Sequence, residues 1–299
     1  MNPAQKVIKY FAMAFAIALI VGIMTGITAA ISGINMGMSW RSDVDYVDFT
    51  KEFDTVENLD LENYSGSLYL REGNVSKVTV IAKSVPDTTI VEIKGDHTLT
   101  IENEDDVSWI FRILGNDYEE DSEVVILVPE GFIVNKAEFE NHSGAMELTG
   151  FTASELRITG GSGNITGSDI SAHRTKISTG SGRFKLEQVN LSNGSLDGGS
   201  GSISITDANL SDFVFSPGSG SLNVSGSLSG KNSIDGGSGS ITFELFNSME
   251  SYDLDLDSGS GSIWINGEAR NDNDYHGTAV ENELDIDGGS GKVIINFAD

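Results

Sequence analysis

The chain has 299 residues, a formal net charge of −27, no cysteine, four prolines and 35 glycines. The lack of cysteine excludes disulfides and thiolate metal sites, and 45 acidic against 18 basic residues argue against nucleic acid as a partner, because nucleic-acid binding needs clustered Lys and Arg. At 38% hydrophobic residues the chain can build a core, which argues against wholesale disorder.

An apolar segment near the N-terminus predicts a membrane anchor. Residues 10–34 carry no charge and are long enough to cross a bilayer core of about 30 Å as a helix. Lysines precede the segment and acidic residues follow it, which by the positive-inside tendency places the N-terminus in the cytoplasm and the bulk outside the cell. A cleavable signal peptide ending near residues 28–30 is the alternative.

The next part of the chain, residues 48–135, predicts strands without a regular repeat. We expect it to cover the N-terminal mouth of the structure that follows, with 48–70 as an early rung or edge strand, since open strand ends invite edge-to-edge association. The predicted strands are KVTVIAK at 77–83, TIVEIKGDHTLTIE at 89–102 and EVVILVP at 123–129.

A Ser-Gly pair then repeats at a fixed step of 19 residues. Apolar residues stand four positions before and three positions after every serine. Such alternation on both sides indicates two half-buried strands joined by a turn, at which glycine supplies backbone angles that other residues resist. The serines are Ser143, Ser162, Ser181, Ser200, Ser219 and Ser238, then Ser260 and Ser290 after steps of 22 and 30, with a detached copy at Ser65.

A 19-residue segment cannot bury its apolar row alone, whereas copies stacked at about 4.8 Å per rung can. A third apolar cluster, which includes Phe151, Ile170 and Phe246, implies a second, less regular turn and a third short face. We therefore predict an all-β fold, a parallel β-solenoid with 19-residue rungs, preceded by one N-terminal transmembrane helix. Parallel crossovers favour a right-handed β-helix; an antiparallel sandwich of hairpins is the alternative.

The C-terminal VIINFAD, residues 293–299, has no evident cap, and we expect it to form an exposed last rung. The predicted organisation is 1–9 short cytoplasmic segment, 10–34 transmembrane helix or signal anchor, 35–47 juxtamembrane linker, 48–135 N-terminal strands and hairpin covering the solenoid, and 136–299 repeat β-solenoid.

The repeat, the anchor and a Val-Pro strand before the first regular rung resemble the bacterial putative-adhesin family of exported β-strand repeats, a family of unknown function. The matching residues are 124–129, Asn141-His142-Ser143-Gly144 and the Gly-Ser-Gly corners from Gly161 to Gly291, within 45–299. The resemblance implies a β-strand-repeat fold on an exported protein, and it supplies no catalytic residues.

Acidic residues on two successive rungs are candidates for a cation site. The calcium repeat GGxGxD is excluded, because the sixth position of GGSGSI is apolar at Ile203 and Ile241. Stacking would bring like carboxylates to about 5 Å, which raises their pKa or recruits a cation. A solvated polar row is the alternative, and we assign no metal and no cofactor. The candidates are Asp253, Asp255, Asp257, Asp285 and Asp287.

A basic cluster is the candidate for catalysis, because solenoids of this type host polysaccharide lyases and hydrolases. Nothing in the spacing fixes a cleft, and the four histidines share no metal-ligand spacing. We therefore predict no enzyme and no catalytic residue. The cluster consists of Arg157, Arg174, Lys176 and Arg183, with Asp169 and His173 nearby.

Two segments are candidates for partner binding. Eleven extra residues between Ser260 and Ser290 predict a loop on one face of the solenoid, with Arg270, Tyr275 and His276 as its partner-binding candidates. The apolar VSWIFRIL at 107–114 is expected to pack within the cover, with an exposed patch against membrane or partner as the alternative.

These features predict a non-enzymatic, membrane-anchored extracytoplasmic protein, single-pass in the cell membrane, that acts as an adhesin or envelope binding module. A rigid stack would display loops and a long face to an unidentified protein or glycan ligand. Two alternatives stay open: the ectodomain of an envelope-stress or signalling system, and a carbohydrate-active enzyme.

Overall fold

The computed structural model describes residues 45–103, 122–270 and 282–298, all within one compact unit. No helix among these residues is long and apolar enough to cross a membrane. The anchor predicted at 10–34 lies outside the described residues.

The described residues form strands connected by corners, with short 3-10 turns at Gly95–His97 and Met249–Ser251. The strands are β1 Tyr46–Phe53, β2 Asn58–Asn63, β3 Ser67–Glu72, β4 Val78–Pro86, β5 Thr89–Lys94, β6 Thr98–Asn103, β7 Glu123–Val128, β8 Phe132–Asn141, β9 Ala145–Gly160, β10 Asn164–Ser178, β11 Arg183–Asp197, β12 Ser202–Ser216, β13 Ser221–Asp235, β14 Ser240–Ser248, β15 Tyr252–Asp257, β16 Ser262–Ile265, β17 Glu268–Arg270, β18 Asn282–Asp287 and β19 Lys292–Ala298.

The long strands β9 to β13 stack in parallel at the 19-residue register that the repeat predicts. Ile158, Ile177, Leu196 and Phe215 pair successively across the rungs, and each is fully buried. The apolar residues before the corners thus form one column in the core, which confirms an all-β, solenoid-like stack dominated by parallel pairs. The hand of the winding stays a prediction.

The long strands β9 to β12 bend where a residue adopts a left-handed backbone conformation. Gly150, Asp169, Gln188 and Asp207 recur at the 19-residue step with φ between 52° and 74°. The bend separates the strand segment that follows each corner from a short segment that carries the predicted third apolar cluster, such as Phe151 and Ile170. We call the outer surface of this short segment the second face. Phe246, which the sequence assigned to the third apolar cluster, instead points outward and is 57% exposed, because its neighbour Leu245 takes the inward position.

Glycines at the Ser-Gly corners serve an unusual backbone angle at some corners and close packing at others. Gly182 has no positive φ, but a Cβ on it would overlap the carbonyl oxygen of Gly163 on the preceding rung. Gly201 meets the carbonyl oxygen of Gly182 in the same way. The prediction that corner glycines supply special backbone angles is confirmed at the four corner glycines with a φ between 58° and 81°, which are Gly66, Gly218, Gly259 and Gly289. At Gly182 and Gly201 the stacking of corner on corner excludes a side chain instead.

The last rung of the chain is inserted between two earlier ones. β18 pairs in parallel with β13 on one side and β15 on the other, and β19 pairs with β14 and β16. Its core residues Leu284, Ile286, Val293 and Ile295 are at most 1% exposed. The expectation of an exposed last rung at 293–299 is therefore wrong; within the described chain, β15 and β17 are the outermost strands at this end.

At the N-terminal end, too, strands are inserted between strands from other parts of the chain. β2 lies between β6 and β8, and β3 lies between β7 and β9, all in parallel pairs. The detached copy at Ser65 therefore belongs to a rung of the stack that later segments enclose. Antiparallel strands continue the sheets beyond it, with β4 and β1 following β7 and with β5 following β6.

Candidate functional site

The strand segments that follow the Ser-Gly corners form one outer surface, which we call the corner face. Inward positions on these segments hold apolar residues such as Ile203 and Ile205, so the alternate residues point outward. Its outward residues in rung order are Asn164, Thr166, Arg183, Lys185, Ser202, Ser204, Ser221, Asn223, Ser240, Thr242, Lys292, Ile294, Ser262 and Trp264.

A shallow groove of about 610 Å³ runs along the corner edge of this face. The corner serines of four successive rungs are exposed, and within the described chain their hydroxyls have no side-chain hydrogen bond. Arg183 also lines the groove, and its guanidinium has no ion-pair partner among the described residues. The groove is lined by Ser162, Asn164, Ser181, Gly182, Arg183, Ser200, Gly201, Ser202, Ser219, Gly220 and Ser221.

The corner face ends at its C-terminal side in an aromatic group. Trp264 on β16 lies beside Ile294 on β19, and Ile294 lies beside Thr242 on β14. The Lys292 Nζ is 5.0 Å from the centroid of the Trp264 ring, and the ring Nε1 donates a 3.3 Å hydrogen bond to the Ser262 Oγ. An outward tryptophan beside an ammonium group that forms no ion pair with any described residue is a different chemical environment from the serine-lined groove.

The predicted acidic rungs are neighbours in the structure. Asp253, Asp255 and Asp257 on β15 pair with Glu283, Asp285 and Asp287 on β18. Loss of hydration raises the pKa of Asp285, and the negative charges of Asp255 and Asp287 raise it further.

We call the paired acidic residues of β15 and β18 the carboxylate grid. It holds no preformed cation site, since among the described residues no group of three or more His, Cys, Asp or Glu could hold a metal ion. Lys231 on β13 neutralises one corner of the grid through a 2.9 Å ion pair with Glu283. The Asp253 Oδ1 is buried without a hydrogen-bond partner in the described part of the chain. A cation site at this grid stays a prediction.

The basic cluster considered for catalysis is divided among different surfaces. Arg157 and Lys176 are neighbours on the segment before the corner, whereas Arg183 lies in the groove after the corner. Arg174 pairs with Glu155 at 3.4 Å, with both side chains exposed to solvent. Asp169 occupies the left-handed bend. These positions do not converge on one cleft.

The predicted partner-binding loop begins at β17. The Arg270 side chain is half-buried and pairs with Glu268 at 3.0 Å, so its charge is already partly compensated. Tyr275, His276 and the apolar segment 107–114 lie outside the described residues.

Sequence reasoning missed the Trp264–Lys292 pair, although the repeat alignment contained the signal. Lys292 stands two positions after Ser290, and Trp264 stands four positions after Ser260. Both offsets are outward positions on the strand after a corner. Aligning the outward residues, rather than only the apolar ones, would have placed the two side chains on neighbouring rungs.

The model of the Toastrack DUF4097 family matches residues 56–296, and no curated protein matches the sequence. The chain is similar to the solved structure of a "putative lipid binding protein" from Parabacteroides distasonis ATCC 8503, at 17% identity and a TM-score of 0.43, with 86% of this chain and 98% of that chain covered. It is similar to a "putative adhesin" from Bacteroides fragilis NCTC 9343, at 11% identity and a TM-score of 0.40, with 85% of this chain and 98% of that chain covered. It is also similar to a "putative cell adhesion protein" from Clostridium sporogenes ATCC 15579, at 15% identity and a TM-score of 0.26, with 85% of this chain and 100% of that chain covered.

Proposed function

The chain belongs to the Toastrack DUF4097 family, in keeping with the adhesin-like resemblance of its repeats, and we propose that it is a non-enzymatic, membrane-anchored binding module on the outer side of the cell membrane. The apolar segment 10–34 anchors it, and the solenoid-like stack presents its surface to an envelope or extracellular ligand. The ligand is a hydroxyl-rich polymer, which we take to be a glycan.

The serine-lined groove is the observation that carries this proposal. Its hydroxyls lie on successive rungs at a spacing of about 4.8 Å, so a chain-like ligand meets the same donor and acceptor groups at every rung. Hydroxyls that have no side-chain hydrogen bond within the described part of the chain can exchange water for a ligand hydroxyl at little cost. Each contact is weak, and repetition along the rungs provides the affinity.

The test measures binding of the full-length chain, reconstituted in lipid nanodiscs, to an array of bacterial envelope glycans. The double substitution Ser181→Gln and Ser200→Gln fills the groove. We expect it to weaken binding of those glycans that the parent protein binds by about tenfold or more. The matched control, Thr152→Gln with Ser171→Gln, places the same side chains outward on the second face and leaves binding unchanged. Equal binding by both double variants rules out the groove as the binding surface.

A further inference from the structure

The C-terminal end of the corner face holds two large apolar side chains that point away from the core. Ile263 and Ile265 fill the core positions of β16, so the intervening Trp264 faces outward, and Val293 and Ile295 do the same for Ile294 on β19. At the equivalent outward position the regular rungs carry polar residues. Adjacent outward apolar residues on an otherwise polar face are a feature of binding surfaces.

A positive charge stands beside this apolar pair. Lys292 has no acidic partner among the described residues, although the protein carries a net charge of −27. Glu244 lies on the same surface, where its carboxylate accepts a 2.8 Å hydrogen bond from the Asn296 side chain and forms no ion pair with Lys292. The ammonium group lies 5.0 Å from the Trp264 ring centroid, a contact that attracts it to the ring without neutralising its charge.

Hydrogen-bonding groups complete the surroundings of the lysine. Ser240 and Ser262 flank Lys292 in register on the two neighbouring strands, and Thr242 lies beside Ile294. Within the described chain, the hydroxyls of Ser240 and Thr242 have no side-chain hydrogen bond. The surface thus combines an aromatic ring, an aliphatic side chain, and a cation and hydroxyls that have no partner among the described residues, all within three strands.

We propose that Trp264, Ile294 and Lys292 form a subsite for a carboxylated sugar, a uronate-type residue of an acidic glycan. The C–H face of a pyranose ring packs against the indole and Ile294, the sugar carboxylate pairs with Lys292, and the sugar hydroxyls bond to Ser240 and Thr242. Charge complementarity selects an acidic over a neutral sugar. The apolar pair selects a ring with an apolar face over an acidic peptide.

This inference rests on the proposed glycan-binding function and adds the class of sugar and its position. Binding of trigalacturonate, maltotriose and triglutamate to the full-length chain in nanodiscs is measured by calorimetry, on the parent and on Trp264→Leu, Lys292→Gln and Lys185→Gln. Lys185 is the matched control, a lysine on the same face several rungs away. We expect trigalacturonate to bind the parent at least tenfold more tightly than maltotriose or triglutamate.

We expect trigalacturonate binding to fall tenfold or more in both Trp264→Leu and Lys292→Gln and to be unchanged in Lys185→Gln. Lys292→Gln removes an exposed charge and keeps the sheet, and an unchanged thermal transition verifies that. Unchanged binding in either site variant, equal binding of maltotriose or triglutamate, or no binding by the parent overturns the subsite. If the groove variants lose glycan binding while Trp264→Leu binds normally, the subsite is overturned but the proposed glycan-binding function is supported.

Discussion

Corner glycines are constrained by the backbone of the rung beneath them. Because a Cβ at Gly182 would overlap the carbonyl oxygen of Gly163, Gly182→Ala must push two stacked corners apart. Forcing extra atoms into a packed site costs about 1–3 kcal/mol, and we expect the urea midpoint of unfolding to fall accordingly. Ser181→Ala, at the exposed neighbouring position, is the control and should leave the midpoint nearly unchanged. Equal effects of the two substitutions would contradict the steric argument.

The carboxylate grid makes stability depend on pH. Since the pKa of Asp285 is raised in the folded state, its ionised form is disfavoured there, and the parent regains stability as the pH falls from neutral through that pKa. Asp285→Asn should therefore raise the melting temperature by about 1–2 °C at pH 7, with a gain that shrinks towards pH 4. Asp197→Asn, whose stacked neighbours Ser178 and Ser216 are uncharged, should show no such gain in melting scans. A gain independent of pH would refute a carboxylate origin.

Asn282 attaches the inserted strand β18 to the rungs on both sides. Its Oδ1 accepts a 3.0 Å hydrogen bond from the Gly230 amide, and its Nδ2 donates to the Ser251 carbonyl oxygen at 3.1 Å. Asn282→Ala leaves both partly buried backbone groups unpaired, which costs about 1–3 kcal/mol and should lower the denaturation midpoint. Asn209→Ala, which breaks only an exposed bond to Asn190, is the matched variant and should cost less than about 0.5 kcal/mol. If both cost the same, Asn282 does not attach the strand.

The repeat predicted the strands and their register because one spacing determines both. Ile158 and Ile177 occupy the same place in successive copies, so stacking the copies pairs them. The order of the last rungs could not be predicted in this way, because the copies at Ser260 and Ser290 have equivalent apolar patterns and fit the stack in either order. Long-range pairing of strand edges decides between the orders, and a single sequence contains no signal for it.

The candidate sites differ in whether their contacts depend on the order of the last rungs. The acidic rungs are neighbours in either order, which is why the pairing of Asp255 with Asp285 was predictable. The contact of Thr242 with Ile294 requires β19 to lie between β14 and β16, and this order could only come from the structure. The apolar cluster of the second face was predicted, but not the inward position of Leu245 in place of Phe246, because the register shift between Leu245 and Ser248 decides which residue enters the core.

At both ends of the stack, strands near the chain terminus lie between strands from more internal parts of the chain. At the N-terminal end β2 and β3 are enclosed, and at the C-terminal end β18 and β19 are. In a simple solenoid the first and last segments of the chain would form the edges and fray first. Here, within the described chain, the C-terminal edge is formed by residues that precede the last segment by about one rung.

Amide hydrogen exchange of the full-length protein tests this order of rungs directly. β18 has a strand on each side, whereas among the described residues β15 pairs with β18 alone. Since opening an edge strand breaks one ladder instead of two, we expect β15 amides to exchange about tenfold faster or more than β18 amides, although β18 is nearer the chain end. β12, enclosed on both sides, provides the internal reference for slow exchange. Exchange that instead becomes faster steadily towards the C-terminus would mean that the rungs stack in sequence order and that no segment is inserted.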